Sequence, residues 1–327
     1  MLYTDAFLAE MAEALRALVP LWGLPQDGPL ALLTVSENAT WLAGEGDGRI
    51  VLRVQRPGYN SDAAIASELV WSRALREDGV VNTPASLPAR TGEDLLRFDC
   101  GGHDLRLVAF EFVPGAAPSE EEHDLAFWYR RLGAITAGMH RHSRSWRMPD
   151  GFSRRQWGFA EICGPAADWG DWRHGIGLDA EGRAVLEEVE ADLARRCADF
   201  GSGPDRQGLI HCDMRTANLL VDGDHMTVID FDDCGFGWYV YDFAAATSFM
   251  PPEAIWRLLP HWVAGYREVL PLDAEDEAAL PMFVMLRRLQ LTGWIASHAD
   301  APEPAALGAG FTHETVAMGR RWLEEIR

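Results

Sequence analysis

The chain has 327 residues, 48% of them hydrophobic, enough for a substantial core and too apolar for a disordered polypeptide. Its formal net charge of −21 sets up a field that repels nucleic-acid and anionic-membrane phosphates, which argues against both as partners and favours a neutral or cationic ligand. All 29 residues counted as Lys plus Arg are arginine, so any side-chain cation placed on a phosphate must be a guanidinium.

Five cysteines, Cys100, Cys163, Cys197, Cys212 and Cys234, are scattered without a C-x-x-C spacing, which argues against a disulfide framework or a zinc site. The first residues carry acids early and no basic stretch before an apolar run, unlike a signal peptide. No apolar run reaches the roughly 18 residues a transmembrane helix needs. The expectation is a soluble, cytoplasmic protein.

In chain order, helical spacing of Phe7, Leu8, Met11, Leu15 and Leu18 predicts a helix over 4–19, stopped at Pro20. Short β-like runs follow at 30–34, 40–43 and 49–55, with a hairpin turn at 45–48. A helix is predicted over 61–77, capped by Ser61 or Asp62 and closed by Gly79. Two more β-like runs at 94–98 and 105–112 complete a mostly antiparallel sheet with one inserted helix. A break at 112–115 leads to Pro118, Ser119 and Glu120, read as a capped helix start. Helices are then predicted at about 121–142, 182–199, 252–269, 274–298 and 304–326. Between them, 208–233 alternates β-like runs (209–210, 219–221, 227–229) with polar loops. The plan is α+β in two parts: residues 1–112 as a small antiparallel-sheet lobe and 113–327 as a larger, mainly helical lobe.

The chemistry concentrates in residues 209–246. Asp213 follows one apolar strand, Asn218 opens a second and Asp230 ends a third. A carboxylate and an amide oxygen form a hard ligand set suited to Mg²⁺ that keeps water and phosphate ligands. A further carboxylate outside the metal shell can take the proton of an attacking hydroxyl. Phosphoryl transfer needs little else beyond positioning and charge neutralisation.

The pattern His211-x-Asp213-x-x-x-x-Asn218, followed by Asp230-Phe231-Asp232, resembles the aminoglycoside phosphotransferase and choline kinase superfamily, which shares the protein-kinase fold. The Asp233 that follows, with Tyr241-Asp242-Phe243-Ala244, is similar to the branch of bacterial stress-response kinase A and type II homoserine kinase. The resemblance implies a two-lobed, protein-kinase-like fold. It makes Asp213 the catalytic base and His211 a brace for the loop. Asn218 and Asp230 would hold Mg²⁺, and Asp232 a second metal or the substrate; the alternative for Asp232 and Asp233 is structural capping of the segment that follows. Asp242 would anchor the loop, and Cys212 is read as packing. The nucleotide would be ATP, with GTP as an option.

On the nucleotide side there is no G-x-G-x-x-G loop. The turn containing Asn38 stands in its place, offering backbone N–H groups to phosphates or serving as an ordinary hairpin. The strand at 50–54 carries Arg53 where protein kinases have lysine, and the next helix offers Glu68 as its partner; the alternative is a surface ion pair. By resemblance, backbone groups of Glu111 and Val113 would bond the adenine edge.

The acceptor side is less specific. Thirteen tryptophans suit either a wall for a cationic acceptor or plain core packing, and packing is the expectation. Arg287 and Arg288 are read as a solvated helix face. His140, Arg141, His142 and Arg144 are read as cations ending a helix, where they suit its dipole, without a catalytic part. Asp168, Asp171, Arg173 and His174 lie in a Trp-rich insert read as a substrate lid. The function expected is ATP- and Mg²⁺-dependent phosphorylation of a small-molecule hydroxyl on an amino alcohol, amino acid or aminoglycoside-like acceptor. The alternatives are a Ser/Thr protein kinase of the stress-response type and a nucleotide-binding pseudokinase.

Overall fold

The computed structural model describes residues 2–121, 123–299 and 302–325. Its elements in chain order are α1 (Asp5–Leu18), β1 (Leu30–Val35), β2 (Ala39–Ala43), β3 (Ile50–Gln55), α2 (Asp62–Glu77), β4 (Leu96–Cys100), β5 (His103–Glu111), α3 (Leu125–Ser145), β6 (Arg155–Trp157) and α4 (Phe159–Cys163). Then follow α5 (Ala180–Phe200), β7 (Gln207–Ile210), β8 (Leu219–Asp222), β9 (His225–Val228), β10 (Gly235–Trp238), α6 (Tyr241–Ala246), α7 (Pro252–Arg267), α8 (Ala274–Ser297) and α9 (Pro302–Glu325). The fold class is α+β. No helix among the described residues is long and apolar enough to cross a membrane.

The chain divides into two compact units. The first runs to Ala116 and adds Met148–Ser153 and Leu220–Asp232; the second holds Ala117–Arg147, Arg154–Leu219 and the chain from Asp233. The sequence reading closed the first lobe at 112. The structure continues it to Ala116 because Ala116 and Val221 exchange backbone hydrogen bonds of 3.1 and 2.8 Å. The Val228 N–H likewise donates to Asn82 O at 2.9 Å, drawing β9 into the same unit.

In the first unit, five strands form an antiparallel sheet in the order β1-β2-β3-β5-β4. Strand alternation sorts its faces. Ile50, Leu52 and Val54 of β3 pack with Met11 and Leu15 of α1 in one cluster. The residue between the last two, Arg53, takes the other face, where Ile65 and Leu69 of α2 meet Val108 of β5. Ser61 caps α2 as expected, its Oγ accepting from Ala64 N.

In the second unit, α3 begins at Leu125, not near 121. Asp124 Oδ1 accepts from the N–H groups of Ala126 and Phe127, and this cap replaces the expected start after Pro118, Ser119 and Glu120. The unit also holds β6 and β10, too short to read from pattern: β10 lies between β6, parallel to it, and β7, antiparallel. The Trp-rich insert is anchored, which corrects the lid reading. Trp169 and Trp172 are buried, Asp171 caps the turn Trp172–His174, and Arg173 pairs with Glu190. Trp71, Trp157, Trp172 and Trp262 are fully buried core residues. In α9, Gly308 at φ +46 breaks the helical run.

Helices α3 and α7 cross at glycines. A Cβ on Gly265 would lie 1.7 Å from Arg130 O, and one on Gly133 would lie 2.1 Å from Trp262 O. Backbone cannot yield as a flexible side chain does. Gly265→Ala is therefore expected to destabilise by about 1–3 kcal/mol or more. Thermal melting checks this, and an unchanged midpoint would refute the close crossing.

Candidate active site

Each unit carries one cluster of the residues that the sequence singled out. In the first, the Nη2 of Arg53 donates to both oxygens of Glu68 at 2.7 Å, and Nη1 donates to Asp230 Oδ1 at 3.2 Å. The Arg53 and Glu68 side chains are 6% and 2% exposed, which rules out the surface-pair alternative. Burial works against the guanidinium's charge; Glu68, Asp232 and Asp230 more than reverse it, and the pKa of Arg53 is raised.

The segment after β9 spreads three consecutive side chains. Asp230, in the left-handed region at φ +62, keeps its carboxylate 42% exposed beside Arg53. Phe231 is buried edge-on against Trp71, with ring centroids 5.6 Å apart. Glu68 and Trp71 are three residues apart on α2, so one helix face holds both the guanidinium and the phenyl ring. Asp232 is buried and accepts from the side-chain amides of Asn38 at 2.9 Å and Asn60 at 3.0 Å.

The Asn38 side chain braces the fold: its Nδ2 donates to Asp232 and its Oδ1 accepts from Arg56 N at 3.1 Å, so the phosphate contact expected of this turn falls to its backbone N–H groups. Asp232 shares in that brace, with an amide donor on each oxygen. At the end of β5, the Glu111 N–H donates to Ala85 O and its carboxylate accepts from Ala85 N and Arg76. The Glu111 N–H is thereby removed from the groups available to an adenine; Val113 lies beyond the strand.

In the second unit, β7 delivers His211, Cys212 and Asp213. Cys212 sits at φ +68 with its thiol buried, and burial pushes its pKa well up, so it is no nucleophile. Asp242, at the start of α6, accepts from Cys212 N at 2.6 Å and His211 N at 3.2 Å. His211 Nδ1 in turn accepts from Asp213 N at 3.3 Å. The Asn218 amide donates to Asp213 O at 2.9 Å and Oδ2 at 2.7 Å. With its NH₂ so committed, the Asn218 oxygen is the end suited to a cation.

One of two arginines that sequence reasoning misplaced completes this cluster. Arg287 and Arg288, read as solvated, are 2% and 3% exposed. Arg287 Nη2 donates to Asp213 Oδ1 at 2.8 Å, and Arg288 pairs with Glu314 at 2.7 Å. The available signal was α8 itself: from Leu280 to Ile295 it is apolar around the whole helix apart from Arg287, Arg288, Gln290 and Thr292, and a charge inside such a helix must be buried and paired. His140, read as a helix-end cation, is buried: its Nε2 meets Asp242 Oδ2 at 2.9 Å and its Nδ1 meets the Tyr266 hydroxyl at 3.0 Å. Burial lowers its pKa, and a neutral ring donating from Nε2 and accepting at Nδ1 satisfies both contacts.

An acid on a braced loop, an amide oxygen beside it and a buried guanidinium–carboxylate pair on a strand and helix are the parts of a kinase-like phosphotransferase. The phosphotransferase enzyme family (APH) matches residues 31–280, and the chain belongs to it. A solved microcompartment-associated aminopropanol kinase is 41% identical, with a TM-score of 0.88 over 98% of either chain. Amicoumacin kinase of Bacillus subtilis (strain 168) is 23% identical over 313 residues, 90% of this chain and 88% of its own. A solved amicoumacin kinase in complex with AMP-PNP, Ca²⁺ and Ami has the same fold at 20% identity, with a TM-score of 0.74 over 96% of this chain and 94% of that one. The chain is a small-molecule kinase.

Two outcomes follow. Arg53→Met strands the buried Glu68 carboxylate and is expected to cost about 3–5 kcal/mol, read from the denaturant midpoint, with Arg53→Lys recovering part; a loss too small to measure would contradict the pairing. His140 gives a pH dependence. Its folded pKa lies below the unfolded value of about 6.5, so the stability from keeping it neutral is complete above that pH and declines as pH falls below it. The groups facing it are Asp242, Tyr266, Tyr239 and Arg144. Melting temperature is expected to fall more steeply on acidification in wild type than in His140→Gln; parallel slopes would disprove it.

Proposed function

We propose that the chain phosphorylates the hydroxyl of a small amino alcohol, using ATP and a divalent cation, Mg²⁺ in the cell. The observation that carries the acceptor class is the 41% identity with the aminopropanol kinase, which runs through 98% of both chains. The acidic surface agrees with an ammonium-bearing acceptor. Nucleotide and divalent-cation use are supported by the related amicoumacin kinase solved with AMP-PNP and Ca²⁺.

Asp213 is assigned as the base: it accepts the proton of the acceptor hydroxyl as that oxygen attacks the terminal phosphorus and ADP departs. Asn218 orients the Asp213 carboxylate through Nδ2 and offers Oδ1 to the cation, while Asp230 offers the exposed carboxylate. These are oxygen donors of the kind Mg²⁺ takes, and a bound Mg²⁺ would neutralise charge on the phosphates. Arg53, oriented by Glu68, is assigned to the nucleotide's phosphates. His211 braces the loop, and Asp232 holds the turn at Asn38.

The test supplies 1-amino-2-propanol with ATP or GTP and Mg²⁺, following nucleoside diphosphate release and the phosphorylated product by phosphorus NMR. Asp213→Asn is expected to lose about 10²–10⁴ in kcat. Wild-type turnover by Asp213→Asn would end the base assignment. Product from amino acids or aminoglycosides, and none from amino alcohols, would overturn the acceptor class. Phosphate on the chain itself would favour the protein-kinase alternative.

A further inference from the structure

Arg287 is a charge in a place where charges are expensive. It lies in α8 among Leu286, Leu289, Leu291 and Phe283, all buried. Removing a guanidinium from water is compensated only when its donors find partners of good geometry. Here Nε donates to Ser248 Oγ at 2.9 Å, Nη1 to Gln290 Oε1 at 2.9 Å and Nη2 to Asp213 Oδ1 at 2.8 Å. The group lies over the ring of Trp169, 4.7 Å from its centroid. Gln290 Oε1 also accepts from the Tyr241 hydroxyl, so the partner of Nη1 is itself fixed. The guanidinium is held from two sides before it meets the carboxylate.

The consequence falls on Asp213. Its Oδ1 is held by Arg287 from α8 and its Oδ2 by Asn218 from the following loop, each by a donor within 2.8 Å. A carboxylate gripped at both oxygens cannot rotate about its Cβ–Cγ bond, yet each oxygen retains a lone pair for a hydroxyl. A second cation nearby, Arg215, approaches Oδ2 only to 3.5 Å through Nε.

We propose that Arg287 is a positioning residue for phosphoryl transfer: anchored on Ser248 and Gln290, it fixes the plane of the Asp213 carboxylate against the acceptor hydroxyl. The inference rests on Asp213 being the base. It assigns Arg287 to turnover, with no contact to acceptor or nucleotide, so its loss acts on kcat and leaves KM alone.

The experiment measures kcat and both KM values for wild type, Arg287→Ala, Arg287→Lys and Asp213→Asn, with 1-amino-2-propanol and MgATP; hydrolysis of MgATP, where water is the acceptor, runs in parallel. Misplacing a catalytic group by about 1 Å costs on the order of 10²-fold, and that is the expected loss of kcat in Arg287→Ala, with both KM values unchanged. Guanidinium chloride well below denaturing concentrations should restore part of that loss by refilling the vacated place. It should restore nothing in Asp213→Asn. A folded Arg287→Ala with wild-type kcat, or one whose KM values alone rise, overturns the proposal. Should Arg287→Ala fail to fold, Arg287→Lys decides. One ammonium cannot serve Ser248, Gln290 and Asp213 in the planar fork, so kcat should fall at constant KM; wild-type kcat there refutes the proposal. Full turnover by Asp213→Asn would sink the base assignment itself, whereas a dead Asp213→Asn beside a normal Arg287→Ala would sink only the positioning role.

Discussion

The loop of the second unit that carries Asp213 depends on one carboxylate. Asp242 is fully buried and takes three donors: the N–H groups of His211 and Cys212 and the Nε2 of His140. Cys212 has a left-handed backbone, a conformation that costs an L-residue about 1–2 kcal/mol. That conformation persists because Asp242 gathers consecutive amides that an extended chain would turn to opposite sides. A charge-assisted hydrogen bond is roughly twice as strong as a neutral one, so two amides on one carboxylate outweigh the local strain. Asp213 owes its direction to this turn, being the next residue along. His140 extends the support outward to Tyr266 on α7, so the loop is tied to helices α3, α6 and α7 of its unit.

The first unit solves a parallel problem with different parts. Asp230 is also a non-glycine residue at positive φ, and the two residues after it are pinned by Trp71 and by the amides of Asn38 and Asn60. Arginine on β3 matters here. A guanidinium has a fork of donors and reaches Glu68 with one nitrogen and Asp230 with another. A lysine ammonium is a single point with a stronger hold on water, and bridging two acids from inside the unit suits it less well. In a chain without lysine, the substitution at this position is workable because the helix supplies an acid that accepts the guanidinium with both oxygens.

What the sequence made legible was what is local. The His-x-Asp spacing with the Asn five residues on gave away one loop and the Asp-Phe-Asp triplet another, because each motif lies within one short segment. Strand alternation and helical spacing placed Arg53 and Glu68 on a strand and the helix after it. The misreadings share a physical cause. Arg287 meets Asp213 from 74 residues away and His140 meets Asp242 from 102, separations at which no periodicity reports. Asn38 was legible as a turn residue, but the two side-chain hydrogen bonds that brace it against Asp232 and Arg56 were not. The start of α3 was misplaced by a few residues because two caps competed, and only the backbone shows that Asp124 captured the N–H groups.

The two units share a device. Each sets a guanidinium, almost wholly buried, against an acid of the candidate site: Arg53 against Asp230 and Arg287 against Asp213. Well-packed apolar residues in place of a buried ion pair are often neutral or stabilising by about 1–4 kcal/mol, so stability alone does not account for keeping such pairs. Arg288 shows the contrast. It sits one residue along the same helix and pairs with Glu314 and Thr315 on α9, and its pKa is lowered by burial despite Glu314. Adjacent arginines on α8 therefore serve different ends. One joins α8 to α9, and the other spans from α8 to Asp213, the acid proposed as base. The difference follows from the 100° step between successive helix positions, which turns Arg287 toward the loop after β7 and Arg288 toward α9.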